Sequence, residues 1–225
     1  MRYKRLWIFM TCIISLIIVT EARAGRDKPD PSSDILYFEE YVQAIEDEPE
    51  NRFHRAREYF FKDDMEASAR EIRKSAVFLR LEMGWATKEG KKGLVTSSLE
   101  LDKLADEVEK GKVTSVKELD DAFSRAHYAL ARHYHLKASE SGVQEAYDNL
   151  VRELKTTVKH LKHAILWSGD KIESAFKEMI KDVHMMEKKI LGGEKQDQEE
   201  AEKMIESVGK EIEKSGKKME PKKGQ

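Results

Sequence analysis

Apolar residues recur at intervals of three or four along most of this chain, which is the spacing of one face of an α-helix. The pattern predicts successive helices from Asp34 onward, and no strand-like alternation of polar and apolar residues competes with it. Breakers are few, since the 225 residues include only 4 Pro and 12 Gly. We therefore predict an all-α antiparallel helical bundle formed from two long helical hairpins.

Capping and breaking residues predict the helix boundaries. Ser115, with an acidic residue three positions later, forms a capping box that predicts a helix start. Gly90 and Gly93 fall inside an apolar run, where each glycine costs about 1 kcal/mol relative to alanine, so we expect a kink or short break there. A further break is predicted over residues 139–142, before one long helix over residues 147–190.

One stretch of the chain is echoed by another. Residues 70–85 and residues 152–167 both begin with Arg-Glu, end with Trp and carry a leucine at the same place between. Residues 53–56 are similarly echoed by residues 123–126. Duplication of a helical hairpin would explain these matches, and the alternative is the chance similarity of two amphipathic helices.

Residues 1–24 have the pattern of a secretory signal peptide. Basic residues precede an apolar run over residues 6–20, and Ala22 and Ala24 are the small residues before a cut ahead of Gly25. The run is shorter than the about 20 residues that a spanning helix needs, and an uncleaved anchor is the alternative. We predict a periplasmic or secreted protein with no membrane span after removal of the signal.

Composition divides the rest of the chain into three parts. Residues 25–33 form a polar, proline-containing linker, and residues 34–193 form the helical bundle domain. Residues 194–225 form a charged tail. For this tail a loosely docked helix and a disordered segment are both open.

The charge and the cysteine content narrow the classes of function that fit this chain. The net charge of −2, with both signs interspersed, is that of a poor general nucleic-acid binder. The one cysteine, Cys12, lies inside the predicted signal, so the mature chain would have no disulfide and no thiolate chemistry. No catalytic motif stands out, and we predict a protein that is not an enzyme and that needs no cofactor.

The histidines are the candidate metal ligands. Helical spacing places His127 and His133 beside the buried face of one helix, and His160 at the edge of the buried face of the next. Imidazoles on facing helices are how bundles build metal or haem sites, so these three are the predicted metal site. The alternative is that they are ordinary histidines, satisfied by hydrogen bonds or by water.

Two matching stripes run beside the buried faces of the echoed stretches. The stripes are Phe78, Leu81 and Trp85 in the first stretch and His160, His163 and Trp167 in the second. Exposure of the first stripe to water is unfavourable because its side chains are apolar. A helix of the same chain, a second copy or a partner protein should therefore cover it. The second stripe should weaken below about pH 6.5, where imidazole becomes charged. Both stripes are candidate protein interfaces.

Part of the chain resembles the YfdX family of exported bacterial helical proteins. The residues that carry the resemblance are Ala56-Arg57, Phe60-Phe61, Lys62-Asp63, the spaced small residues Ala67, Ser75 and Ala76, and Leu79. The family pattern usually has glycine in the turn where this chain has Asp63 and Asp64. The resemblance implies a periplasmic, stress-associated protein with a binding or chaperone-like role, and not an enzyme.

The sequence thus predicts an exported bundle that binds another periplasmic protein, or itself, by burying the aromatic anchors among Phe78, Leu81 and Trp85. A bundle that binds metal or haem through His127 and its two companion histidines is the alternative.

Overall fold

The computed structural model describes residues 47–194 and 197–219, so the predicted signal, the linker and most of the first predicted helix lie outside the described residues. The described part of the chain is all-helical, which confirms the predicted all-α bundle. Its seven helices, numbered here in chain order, are α1 (Glu48–Phe61), α2 (Met65–Glu82), α3 (Lys88–Glu109), α4 (Val116–Val143), α5 (Tyr147–Trp167), α6 (Ser174–Leu191) and α7 (Gln198–Met219).

Polar side chains cap the starts of α2 and α4. The Ser115 hydroxyl accepts a hydrogen bond from the backbone N–H of Lys117 at 3.2 Å, and α4 begins directly after it, as predicted. The Asp64 carboxylate accepts from the N–H of Ala67 at 3.0 Å and opens α2. Each cap satisfies one of the N–H groups that a helix start leaves without a partner.

The turn between α1 and α2 explains a departure from the resembled family. Asp63 has a backbone φ of 61°, in the left-handed region that glycine adopts without strain. Aspartate is among the few other residues that tolerate this region. The turn therefore keeps the backbone conformation that a glycine would favour, although the sequence has an acid there.

The break predicted at Gly90 and Gly93 is wrong, because the chain turns at residues 83–87 and both glycines lie inside α3. Gly90 is buried, and the absence of a side chain there affects how two helices pack. A Cβ at Gly90 would lie 3.2 Å from Nδ1 of His133, so the missing side chain lets α3 approach α4 closely.

The helix start predicted at residue 147 is where α5 begins, but the break predicted over residues 139–142 comes slightly later and the single helix predicted over residues 147–190 is divided in two. Helix α4 continues through Val143, and the Ser141 hydroxyl donates to the Glu153 carboxylate of α5 at 2.7 Å instead of capping a new helix. The chain turns at residues 144–146, and a second break falls between α5 and α6, where Gly169 has a φ of 77°. Two helices thus replace the single one that was predicted over residues 147–190.

Helix α4 is shared by two hydrophobic cores. Its first half contributes Phe123 and Leu130 to a core with α1, α2 and α3. Its second half contributes Ala131 and Ala138 to a core with α5, α6 and α7. Neighbouring helices pack in chain order from α1 to α5, which matches the predicted hairpins.

The charged tail supplies the last helix of the second core. Helix α7 packs against α4 and buries Ala201, Val208 and Ile212. Of the two alternatives for the tail, the described residues therefore show a docked helix. None of the helices described here is long and apolar enough to cross a membrane.

Candidate functional site: a histidine cluster around Glu50 and an exposed apolar face

The first turn of α1 places one carboxylate among side chains of α4 and α5. Glu50 Oε2 lies 2.8 Å from Nε2 of His127 and accepts a hydrogen bond from Nε1 of Trp167, also at 2.8 Å. Glu50 Oε1 lies 2.9 Å from Nε2 of His54 and 3.0 Å from Nδ1 of His163. We call these five residues, together with His160, the Glu50 cluster.

Aromatic rings form the apolar floor of the Glu50 cluster. The rings of Phe53 and Phe123 stack with their centroids 4.2 Å apart, and Trp167 meets Phe123 edge to face at 5.2 Å. Phe53 also meets the ring of His127 edge to face at 5.2 Å. These rings keep water away from the inner side of Glu50, so its hydrogen bonds act in a medium of low polarity.

The charge of Glu50 fixes the tautomer of His127. Burial opposes ionisation of Glu50, but the hydrogen bond from His127 and the contacts of His163 and Trp167 outweigh it and hold the pKa of this carboxyl well below its usual range. An ionised carboxylate can only accept hydrogen bonds. His127 must therefore carry a hydrogen on Nε2.

The same reasoning extends to His160. Burial lowers the pKa of His127 and lowers that of His160 further, so both rings are neutral near pH 7. With its hydrogen on Nε2, neutral His127 can only accept at Nδ1, which lies 3.1 Å from Nδ1 of His160. His160 is then the donor, and its Nε2 keeps a lone pair that is buried without a hydrogen-bond partner among the described residues.

The three predicted metal ligands do not meet at one point. His127 and His160 are in contact, but His133 lies about 9 Å further along α4. There it faces Glu82, with 3.4 Å between His133 Nε2 and Glu82 Oε2, and the hydroxyl of Tyr134 donates to the same oxygen at 3.0 Å. Within residues 47–194 and 197–219, no group of three or more His, Cys, Asp or Glu side chains is arranged to hold a metal ion.

The second predicted stripe lies beneath α1 instead of on an outer surface. His160 is 1% exposed and Trp167 is 7% exposed, while His163 keeps partial contact with solvent beside Glu50. In the described structure a helix of the same chain covers most of this stripe.

Sequence reasoning did not single out Glu50 or His54. The available signal was their spacing of four positions, which puts a carboxylate and an imidazole on the same side of a short helix.

The first predicted stripe divides into a buried and an exposed part. Phe78 is 9% exposed, whereas Leu81 and Trp85 are 65% and 63% exposed. Five of the ten large apolar side chains that are exposed in the described part of the chain belong to the α2–α3 hairpin. We call this set the hairpin face, and its members are Val77 and Leu81 on α2, Trp85 in the turn after α2, and Val95 and Leu99 on α3.

Ion pairs hold the two helices of the hairpin in a fixed register. The Arg80 guanidinium donates to both carboxylate oxygens of Asp102 at 2.8–3.1 Å. Arg73 bridges α2 to Asp106 and Glu109 of α3 at 2.7 and 2.6 Å. The apolar side chains of the hairpin face are therefore displayed on a paired and ordered scaffold.

Neither a scan against protein-family models nor searches of curated proteins and of solved structures finds a match to this chain. The resemblance to the YfdX family stays a prediction.

The Glu50 cluster predicts that acid destabilises the fold in two stages. The folded pKa values of His127 and His160 lie below the about 6.5 of the unfolded chain, so the unfolded chain binds more protons and the free energy of unfolding decreases below that pH. The depressed pKa of Glu50 adds a contribution that is present above about pH 4.5 and is lost as the pH falls further. Urea unfolding measured between about pH 8 and about pH 3 checks both stages.

A pair of variants assigns the first stage to the buried rings. His160→Gln should make the decline below about pH 6.5 shallower, because one titrating group is removed from the interior. His184→Gln, at an exposed position of α6, should leave the slope as it is in the parent protein. A free energy of unfolding that stays constant from about pH 8 to pH 5 would contradict the assignment.

Proposed function

We propose that this chain is an exported, non-enzymatic helical bundle that binds another protein through the hairpin face. The observation that carries the proposal is the 65% and 63% exposure of Leu81, in the last turn of α2, and of Trp85, in the turn that follows it. Contiguous apolar side chains on a protein surface are typical of interaction sites, and tryptophan is enriched among the residues that dominate binding energy.

The energetics favour an anchor role for these side chains. Full burial of a large apolar side chain contributes roughly 1.5–3 kcal/mol relative to exposure. The hairpin is already ordered by the ion pairs of Arg80 and Arg73, so little further ordering opposes binding. The Glu50 cluster, in contrast, is engaged mainly with itself, and it fastens α1 to α4 and α5.

Two features of the sequence support the compartment and the type of role. The signal-like residues 1–24 favour export, with cleavage ahead of Gly25. The resemblance to the YfdX family favours a periplasmic, stress-associated binding protein.

Replacing Leu81 or Trp85 with aspartate is expected to abolish association and to leave the helical content and melting temperature nearly unchanged. Both side chains are largely exposed, so a charge there disturbs little of the fold. A carboxylate without a partner inside an interface costs far more than the same group in water. Light scattering of the purified protein measures self-association, and co-purification from the exporting cell measures association with a partner.

Leu191→Asp is the matched control, because Leu191 is 77% exposed at the end of α6 and is not part of the hairpin face. It should keep the association of the parent protein. The proposal is wrong if the variants at Leu81 and Trp85 associate like the parent protein, or if Leu191→Asp loses association to the same extent.

A further inference from the structure

We infer that the partner presents an acidic amphipathic helix to the hairpin face. This inference rests on the proposed function and adds the chemistry of the partner. It starts from three exposed lysines in the first turns of α3, Lys88, Lys91 and Lys92. No ion pair among the described residues joins any of the three to a carboxylate, and the acid between them, Glu89, is bound by Arg132 at 2.7 Å.

The lysines differ in this respect from the basic residues of α2 on the same hairpin. Arg73 and Arg80 are bound by acids of α3, and Lys74 is bound by Glu71 at 2.6 Å. The start of α3 therefore holds a positive charge that the described part of the chain does not balance.

Two of these lysines share a helix face with apolar members of the hairpin face. Lys88, Lys92, Val95 and Leu99 follow one another at intervals of four, three and four positions. This spacing places them on one side of α3. Their side chains are all exposed, so a single ligand lying along α3 would meet ammonium groups at one end and apolar side chains at the other.

The position of the lysines is unfavourable for the isolated chain. A cation in the first turn of a helix lies beside the positive end of the helix dipole, and this position is unfavourable. Carboxylates brought there by a partner would reverse this effect, because they pair with the lysines and also with the dipole.

The shape of the hairpin face selects a helix as the acidic ligand. Val77 and Leu81 form a ridge on α2, Trp85 follows them in the turn, and Val95 and Leu99 lie on the paired helix. Side-chain ridges on two neighbouring helices receive the ridge of a third helix between them. A partner helix with apolar residues at i, i+4 and i+7, and with acids at one end, matches both features. An anionic lipid surface also offers negative charge beside apolar groups. A flat membrane would be met best by apolar side chains confined to the turn, whereas those of the hairpin face extend along both helices.

Designed peptides test this chemistry on the purified protein. The probes are a leucine–glutamate amphipathic peptide of about five helical turns, a leucine–lysine peptide of the same pattern, and phosphatidylglycerol vesicles. Binding is followed by the fluorescence emission of Trp85. This side chain is exposed, so its emission should shift to the blue on burial, whereas Trp167 is already buried. We expect the acidic peptide to bind, the basic peptide not to bind, and the acidic complex to weaken between about 50 and 500 mM salt.

Charge reversal separates the contribution of the lysines from that of the apolar side chains. The double variant Lys88→Glu/Lys92→Glu should weaken binding of the acidic peptide by about tenfold or more and should admit the basic peptide. The matched control is Lys177→Glu/Lys188→Glu on α6, which reverses two other exposed lysines and should bind like the parent protein.

The outcomes distinguish the inference from the proposed function. If Leu81→Asp abolishes the natural association but the lysine reversal has no effect on either association or peptide binding, the inference is overturned and the proposed function stands. If vesicles bind and the acidic peptide does not, the ligand is a lipid surface and the inference is overturned. If Leu81→Asp leaves the natural association unchanged, the proposed function fails together with the inference.

Discussion

Replacement of Glu50 with alanine is expected to lower the free energy of unfolding by about 2–5 kcal/mol. The change removes the acceptor of the Nε2–H of His127, which is fully buried, and of the Nε1–H of Trp167, which is 7% exposed. A buried donor left without a partner costs about 1–3 kcal/mol, and Glu50 serves two of them. Urea unfolding near pH 7.5 measures the loss.

Glu48 supplies the matched control within the same helical turn. Its carboxylate is more exposed and is paired with Arg52 four positions later, so Glu48→Ala should change the free energy of unfolding by less than about 1 kcal/mol. A loss of less than about 1 kcal/mol for Glu50→Ala would show that His127 and Trp167 find other acceptors, and would remove Glu50 from the role of fastening α1 to α4 and α5.

The parts of the fold that could be predicted from the sequence are those determined by residues close together in the chain. The apolar period of three to four residues gave the all-α bundle, and Ser115 gave the start of α4, because both depend on residues a few positions apart.

The mistaken boundaries have tertiary causes. Gly90 resembles a helix breaker in the sequence, but it stays helical because its missing side chain makes room for His133 of α4. Ser141 resembles a helix cap, but its hydroxyl is used by Glu153 across the α4–α5 pair. In both cases the deciding contact comes from a neighbouring helix, and no local rule reports it.

The Glu50 cluster shows the same limit at the candidate site. Helical spacing placed His127 and His160 near the buried faces of two helices, and the structure brings them into contact. The carboxylate that organises them is separated from His127 by 77 residues and from Trp167 by 117 residues. Periodicity within a helix carries no information about such distant pairs.

The aromatic residues at matching positions of the echoed segments can be compared in the structure. Phe53 and Phe123 begin the matching segments 53–56 and 123–126, and their rings stack at 4.2 Å in the first core. Trp85 and Trp167 end the longer matching segments, but Trp85 is exposed whereas Trp167 packs against Phe123. Matching positions therefore differ in burial: one tryptophan completes the core, and the other is exposed to solvent.

The second large effect is expected at this aromatic stack. Phe53→Ala should lower the free energy of unfolding by about 3–5 kcal/mol, because the ring is fully buried and its removal leaves a cavity between α1 and α4. Phe61→Ala is the control on the same helix, since Phe61 is 66% exposed, and it should cost less than about 1 kcal/mol. Equal losses for the two variants would contradict the assignment of Phe53 to the core.

A double-mutant cycle shows whether the stack itself holds α1 on α4. Leucine is the better substitute here, because two alanine changes together approach the about 5–15 kcal/mol of total stability of a typical domain. Phe53→Leu and Phe123→Leu should be non-additive by about 0.5–1.5 kcal/mol, the energy of an aromatic pair beyond its area. Additivity within about 0.3 kcal/mol would mean that each ring is held by its other neighbours. Coupling would instead make the stack, together with the hydrogen bonds to Glu50, the attachment that fixes α1 on the two helices beneath it.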